Sequence, residues 1–516
     1  MKKWMMGVML ILFGFLCVLP GLGGEEPVHP GVLYDSAMEL YYRGRFEEAI
    51  QGFSKLILSV PKSKLVSYSQ YMIGLCNLKM ERYEEALQRF RLYLKDFPDG
   101  DRVKEAETGI LYSEERLKEK ALGHPAPPLP GRGTAGTVVE SQTSEVRKTK
   151  RRVCAQAFYL EGKDLEEVER SVKELKSAGV DTLILKVFQN RGDQMHRSVT
   201  PRHDEGVYFN TEHAPVVDDI LGKVADIVHR SGLEVFAWIT TRYANYGLDG
   251  LSEYRCKSYN FETKRTEMAR GFNLFHADVL KRLEGLFRDL GRYPIDGILF
   301  QDDLILRHNE DFSPEANKAF LNEFGFLPHP DVFYIDPYRS ESGKYFVKSY
   351  TDRFWTWAKW KNRSLMNVAQ QLMAAARESN PNLQFGINLY YEAVLNHSNA
   401  VGWFSQTLSG AMEKGFDYYA VMAYHRQTMK ELKIEEEGAI RLMAEVARKA
   451  VHSIGDPSKV LMKVQVLDWK GHEPLPQKEV ERVLDRVLNH GDVSLAFVPY
   501  VDAFPLRLLK GNWTKN

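Results

Sequence analysis

Eight short, almost uninterrupted apolar runs divide the C-terminal part of the chain, and their spacing restricts the fold more than any other feature. They cover residues 153–158, 182–188, 234–240, 296–301, 384–390, 417–424, 460–466 and 494–499. Runs of this length without polar alternation suit strands buried on both faces, as in a parallel sheet. Amphipathic helical patterns separate them. Leu165, Val168, Val172 and Leu175 lie on one helical face, with Asp164 and Glu167 as a capping box before them and Gly179 as a stop. Ile220, Val224 and Ile227 repeat the pattern ahead of Gly232. Eight such units predict an α/β fold, a (β/α)8 TIM-type barrel with insertions over residues 153–510. An open doubly wound sheet is the alternative, but no Gly-x-Gly-x-x-Gly turn follows the first run.

The N-terminal part reads differently. Lys2 and Lys3 precede an uncharged, mostly apolar stretch over residues 4–22, followed by Gly23 and Gly24. This is the pattern of a secretory signal peptide over residues 1–24, with an uncleaved membrane anchor as the other reading. Residues 30–120 then repeat internally. Phe46-Glu47-Glu48-Ala49, Phe53 and Pro61 recur 37 positions later as Tyr83-Glu84-Glu85-Ala86, Phe90 and Pro98. The unit resembles a tetratricopeptide repeat, and residues 101–120 supply a closing helix. A small all-α repeat domain is therefore expected, as a docking surface for a protein partner or as a bare spacer. Residues 121–152, rich in Pro and then in basic side chains up to Arg151-Arg152, read as a linker with a solvated end.

Lys and Arg total 69 and so do Asp and Glu, which gives no cationic excess for nucleic acid or a membrane surface. Four cysteines make no disulfide framework. No two histidines lie three or four residues apart, so no metal site is expected, and no cofactor.

Chemistry in such barrels sits at the strand C-termini. The fourth run ends in Asp302-Asp303, and Glu310-Asp311 follows in the next loop. Trp238 lies in the third run, Asn388 and Tyr390 end the fifth, and Tyr424 ends the sixth. Asp468-Trp469 follows the seventh, and Tyr500 and Asp502 the eighth. Two carboxylates just past an apolar strand are poor packing residues, because an unpaired buried charge is costly. Successive strand residues face opposite ways, so one of Asp302 and Asp303 faces the site while the other braces a loop or a neighbouring strand. Trp238, Tyr390 and Tyr424 either stack on a ligand or pack the core. Carboxylates set among aromatic faces suit glycosidic chemistry, in which sugar rings stack on aromatics and carboxyl groups act on the glycosidic oxygen.

These segments resemble one family. Ile298-Leu299-Phe300-Gln301-Asp302-Asp303 with Glu310-Asp311 is similar to the Phe-His-Asp-Asp…Glu-Asp segment of the C-terminal glycoside-hydrolase-like domain of poly-β-1,6-N-acetyl-D-glucosamine N-deacetylases. Val235-Phe236-Ala237-Trp238, Asn388-Leu389-Tyr390, Trp403-Phe404-Ser405-Gln406, Lys463-Val464-Gln465 and Asp468-Trp469 resemble further segments in the same order. The resemblance implies an endo-acting hydrolase of partially deacetylated β-1,6-linked N-acetylglucosamine polymer, a biofilm exopolysaccharide, in the periplasm or cell envelope of a bacterium. It makes Asp302 and Asp303 the catalytic candidates. Glu310, Asp311, Asp468 and Asp502 would bind the amino sugar, alongside Trp238, Asn388, Tyr390, Tyr424, Trp469 and Tyr500. The family's paired-histidine metal motif and Thr-Phe-Asp-Asp segment do not occur, so no deacetylase activity is expected. By analogy with the family's export systems, the repeats would dock to an envelope export or assembly component. Gln301, Val501 and Ala503 stand where the family has His, Pro and Asp. These departures keep open a second reading, a non-catalytic polysaccharide-binding adaptor.

Overall fold

The computed structural model describes residues 30–117 and 149–500, except for positions 43–44, 64, 99, 101, 104–105, 108, 111–112, 115–116, 245, 249–251, 341–344 and 470–472. The leader at 1–24, most of the linker, and Val501, Asp502 and Ala503 lie outside the described residues. What is described falls into two compact units.

The first is helical. Helices α1 (Pro30–Tyr42), α2 (Phe46–Ser59), α3 (Leu65–Lys79) and α4 (Tyr83–Asp96) each pack on the next. The repeated positions form the core, since Ala49, Phe53, Ala86 and Phe90 have no exposed surface. Close packing explains two glycines: a Cβ at Gly74 or Gly109 would come within 2.6 or 2.5 Å of the Phe90 ring. Ala106 is buried in the same cluster, and Val103, Ile110 and Leu117 pack against it, so the closing segment covers α4.

The second unit is the barrel. Its strands are β1 (Val153–Ala157), β2 (Thr182–Lys186), β3 (Glu234–Ile239), β4 (Gly297–Phe300), β5 (Gln384–Leu389), β6 (Tyr418–Ala423), β7 (Val460–Gln465) and β8 (Ser494–Tyr500). All eight pair in parallel with their sequence neighbours, and β1 also pairs with β8, closing the sheet. Closure with helices outside leaves both strand faces covered, which is why nearly every strand residue is buried. The helix Leu165–Ser177 starts where its capping chemistry places it: Asp164 accepts from the Glu167 N–H at 2.8 Å, and Glu167 accepts from the Lys163 N–H at 2.8 Å. The long connection after β4 holds the helix Pro314–Phe324 and the hairpin of Tyr334–Arg339 with Tyr345–Tyr350. It builds a second aromatic core in which Trp357 lies 4.9 Å from both the Phe312 and Phe333 rings.

The N-terminal end of the barrel is plugged by Arg152, and here the structure corrects the reading of that residue as part of a solvated linker end. Arg152 is 2% exposed. Its guanidinium donates to Thr182 Oγ1 at 2.8 Å, pairs with Glu234 at 2.5 Å and reaches Gln384. It lies 4.7 Å from the Phe236 ring and 5.1 Å from the Tyr418 ring. One side chain thus ties the starts of β2, β3 and β5 together beneath the core. Lys150 pairs with Glu234, and Arg151 pairs with Asp492 at 2.8 Å. A cation is tolerated there because several acceptors replace its water. Arg152→Met should lower barrel stability by about 3 kcal/mol, since it leaves those acceptors unanswered. Thermal unfolding of the full chain followed by circular dichroism would show this as a lower Tm with folded-state spectra unchanged.

Candidate active site

At the C-terminal end of the strands, Asp302 and Asp303 have opposite surroundings. Asp303 is 1% exposed. Its carboxylate accepts from the Thr240 hydroxyl at 2.6 Å and the Thr241 hydroxyl at 2.9 Å. The N–H groups of Thr241, Arg242 and Tyr243 also point into it, at 3.0, 2.7 and 2.7 Å. Five donors on two oxygens leave no lone pair for a substrate. Asp303 is therefore a brace that fastens the turn after β3 to the end of β4, and the geometry gives it no direct part in catalysis.

Glu310 and Asp311 are also corrected, because neither reaches the mouth. Glu310 is 5% exposed and pairs with fully buried Arg242 at 3.1 Å. Asp311 is fully buried and accepts from the N–H groups of Lys257 at 2.9 Å and Ser313 at 2.8 Å. Burial raises its carboxyl above the ordinary range, against those two bonds. Fully buried Lys361 donates to the Arg307 and Glu310 carbonyls and lies 3.6 Å from the Trp357 ring. These charges organise the loop after β4 from inside. Arg242 and Lys257, which hold Glu310 and Asp311, lie 68 and 54 residues away, so the sequence does not mark these two as structural rather than ligand-binding carboxylates.

Asp302 is the carboxylate that remains half-open at the mouth. Burial, and after it the neighbouring Asp303 charge, raises its carboxyl above the ordinary value, and the Lys463 ammonium and the Arg307 guanidinium oppose that shift. Lys463, on β7, is 3% exposed and donates to Asn388 Oδ1 at 2.9 Å. Burial pushes Lys463 down to about 8, with Asp302 acting in the other direction. Asn388 in turn donates to the Phe300 carbonyl at 2.8 Å, so β4, β5 and β7 are joined beneath Asp302. The phenols of Tyr390 and Tyr424 are held well above their usual range, by burial first and then by the Asp302 charge. Lys463 was legible as a lysine inside the apolar run Val460-Leu461-Met462-Lys463-Val464, where a charge needs a reason.

Aromatic rings surround this carboxylate. Tyr390 stacks on Phe404 at 4.2 Å with planes 3° apart. Tyr424 meets Trp469 edge-on at 5.5 Å, and Trp469 lies 6.4 Å from Phe158 and nearly parallel to it. Trp238 is 5% exposed, packs 4.9 Å from Phe158 and donates its indole N–H to Gln301. It therefore lines the floor. The indole nitrogen of Trp469 is sealed from solvent without a hydrogen-bond partner. Asp468 pairs with Arg426 at 3.2 Å on the rim, and Tyr500 is buried in β8 beside β1. The position of Asp502 is outside the described residues. Among the described residues no group of three or more His, Cys, Asp or Glu is placed to hold a metal ion.

A closed parallel (β/α)8 barrel with a carboxylate and aromatic rings at its C-terminal mouth defines a glycoside-hydrolase-like protein. The chain belongs to the hypothetical glycosyl hydrolase family 13, whose family model matches residues 163–498. A tetratricopeptide-repeat model matches residues 68–100. The poly-β-1,6-N-acetyl-D-glucosamine N-deacetylases of Escherichia coli K12 and O157:H7 are each 22% identical over 66% of this chain and 48% of their own length. The chain thus spans about half the length of the curated relatives it matches. Among solved structures, the glycoside hydrolase domain of PgaB (BpsB) from Bordetella bronchiseptica shares the fold, with a TM-score of 0.55 and 20% identity over 69% of this chain and 95% of that one.

The two aspartates should separate in experiment. Asp303→Asn puts an amide donor among groups that are themselves donors and should cost about 3 kcal/mol, read as a lower Tm. Asp302→Asn removes a charge that burial disfavours and should leave Tm within about 2 °C.

Proposed function

We propose that this protein is an exported glycoside hydrolase that cleaves within a β-1,6-linked, partially deacetylated N-acetylglucosamine polysaccharide, with Asp302 as a catalytic carboxylate. The observation that carries this reading is the contrast at the end of β4. Asp303 is consumed by the scaffold, while Asp302 stands half-open among Tyr390, Tyr424 and Lys463. Lys463 favours the ionised form of Asp302, the form needed either to attack the anomeric carbon or to activate water. The high-pKa phenols stay protonated and can donate to sugar hydroxyls. Family membership supports the hydrolase class, and the substrate named for the E. coli relatives supports an amino sugar.

The charges around Asp302 refine the acetylation pattern. Lys463 and Arg307 both act on that carboxylate, so a glucosamine ammonium placed there would meet two cations. The ring at Asp302 is thus read as N-acetylated, with free amines on flanking sugars. The leader over residues 1–24 would export the chain, and the repeats would dock it to an envelope export or assembly component. Deacetylase activity forms no part of this reading.

Incubation of the full chain with partially deacetylated β-1,6-glucosamine oligomers should give shortened products in mass spectra, with an acetylated sugar at the cleavage point. Asp302→Asn should reduce the rate by at least about 10³-fold. Binding without cleavage, equal in wild type and Asp302→Asn, would show a polysaccharide-binding adaptor instead.

A further inference from the structure

Two carboxylates not used above stand at the same end of the barrel. Glu392 opens the short helix Glu392–Leu395 just after β5, and Glu431 lies in the helix His425–Leu432 just after β6. Both positions belong to the loop side that carries Asp302. Tyr391 lies beside both: its hydroxyl donates to Glu431 Oε2 at 3.4 Å, and its phenol acts on Glu392 against the effect of burial. Gln427 donates to the other Glu431 oxygen at 2.7 Å. The groups that act on the pair are the two carboxyls themselves, the Tyr391 phenol and the Gln427 amide. One Glu392 oxygen, Oε2, is sealed from solvent and has no hydrogen-bond partner.

Asp302 and Glu392 differ in their surroundings. Lys463 and Arg307 oppose the rise that burial and the Asp303 charge impose on Asp302, whereas the charged group that acts on Glu392 is the like charge of Glu431, with no cation beside it among the described residues. Burial, and then Glu431, pushes Glu392 up to about 7, and burial raises Glu431 as well. The two sites share a neighbour, because the charges of both Asp302 and Glu392 fall on the Tyr390 phenol. Glycosidic cleavage at neutral pH needs one ionised carboxyl and one protonated carboxyl, kept apart by their surroundings.

We propose that Glu392 is the general acid that serves the Asp302 site, with Tyr391 and Glu431 as positioning residues. The role rests on the hydrolase reading above. In the step, the bond between the anomeric carbon and the bridging oxygen breaks, and its electron pair stays on that oxygen. The Glu392 proton completes the new hydroxyl. One water is consumed: its hydroxyl ends on the anomeric carbon, and its remaining proton balances the one Glu392 gave up.

The test compares two substrates: a partially deacetylated β-1,6-glucosamine oligomer and its 4-nitrophenyl glycoside, whose leaving group needs no proton. Glu392→Gln should lower kcat/KM on the oligomer by about 10²–10⁴-fold and leave aryl release within about 10-fold of wild type. It should also abolish the alkaline limb of the pH profile near pH 7. Asp302→Asn should lose both substrates, which separates the two roles. Glu431→Gln removes the like charge and should move the alkaline limb to lower pH, a shift that a merely structural role would not produce. It also serves if Glu392→Gln fails to fold. Difference infrared spectra at pH 6 should show a protonated-carboxyl band in wild type that Glu392→Gln lacks. Equal losses on both substrates, an unchanged oligomer rate, or an infrared band that survives in Glu392→Gln would overturn the role of Glu392. Wild-type protein that cleaves neither substrate overturns the hydrolase reading, and the acid role with it.

Discussion

The Asp303 carboxylate is the constraint on which the mouth of this barrel depends. Three consecutive N–H groups and two hydroxyls from the turn after β3 converge on it. That turn then aims Arg242 inward, where it pairs with Glu310 and fixes the loop after β4. Lys361 holds the same loop through the Arg307 and Glu310 carbonyls. The charges form a chain, and each link satisfies a group that would otherwise be buried and unpaired. Asp302 can stand half-open only because its neighbour performs this anchoring. Charge-assisted bonds to a carboxylate are about twice as strong as neutral ones, which suits a rim that must keep its shape without regular secondary structure.

The fold was legible because burial on both faces writes itself into sequence. Each barrel strand is a largely apolar run, and each expected run coincides with an observed strand to within two residues at either end. The site was less legible, for a geometric reason. Past the last hydrogen-bonded strand residue, alternation no longer fixes which side chain points where, so Asp302 and Asp303 were equivalent on paper. Glu310 read as a ligand because its partner Arg242 is 68 residues away, and only the turn pinned by Asp303 brings them together. Arg152 misled in the same way: among basic linker residues it looked solvated, yet its acceptors lie at the starts of three separate strands. Glu392 and Glu431 carried no sequence signal, since single acidic residues after strands are common in loops. What sets them apart is the pairing across Tyr391.

The zero net charge of the chain has a local counterpart. Asp302 and Asp303 were expected as catalytic carboxylates and Glu310 and Asp311 as amino-sugar ligands, and of these four the structure leaves only Asp302 partly exposed. The others are neutralised internally, by N–H groups or by Arg242. Beside Asp302 the local balance includes Lys463 and Arg307. Under the proposed function, attraction of a cationic polymer would fall to groups farther out, and Asp302 would meet a sugar ring in a pocket whose charge is partly compensated.

That separation has a consequence for how acidity is set. A carboxyl in a half-buried mouth loses water whatever its role, so desolvation alone would raise Asp302 and Glu392 alike. Each has a like-charged neighbour, Asp303 or Glu431, and what distinguishes them is the cation that only Asp302 has. A lysine on β7, itself pinned by Asn388, opposes the rise at Asp302; a second glutamate on the next helix reinforces it at Glu392. The carboxyls after β4 and β5 thus meet different charged partners. One partner stands on β7 and the other on the helix after β6, so the closed sheet brings together groups that no short stretch of sequence could hold. The charge that faces each carboxyl is therefore a property of the closed barrel rather than of either loop.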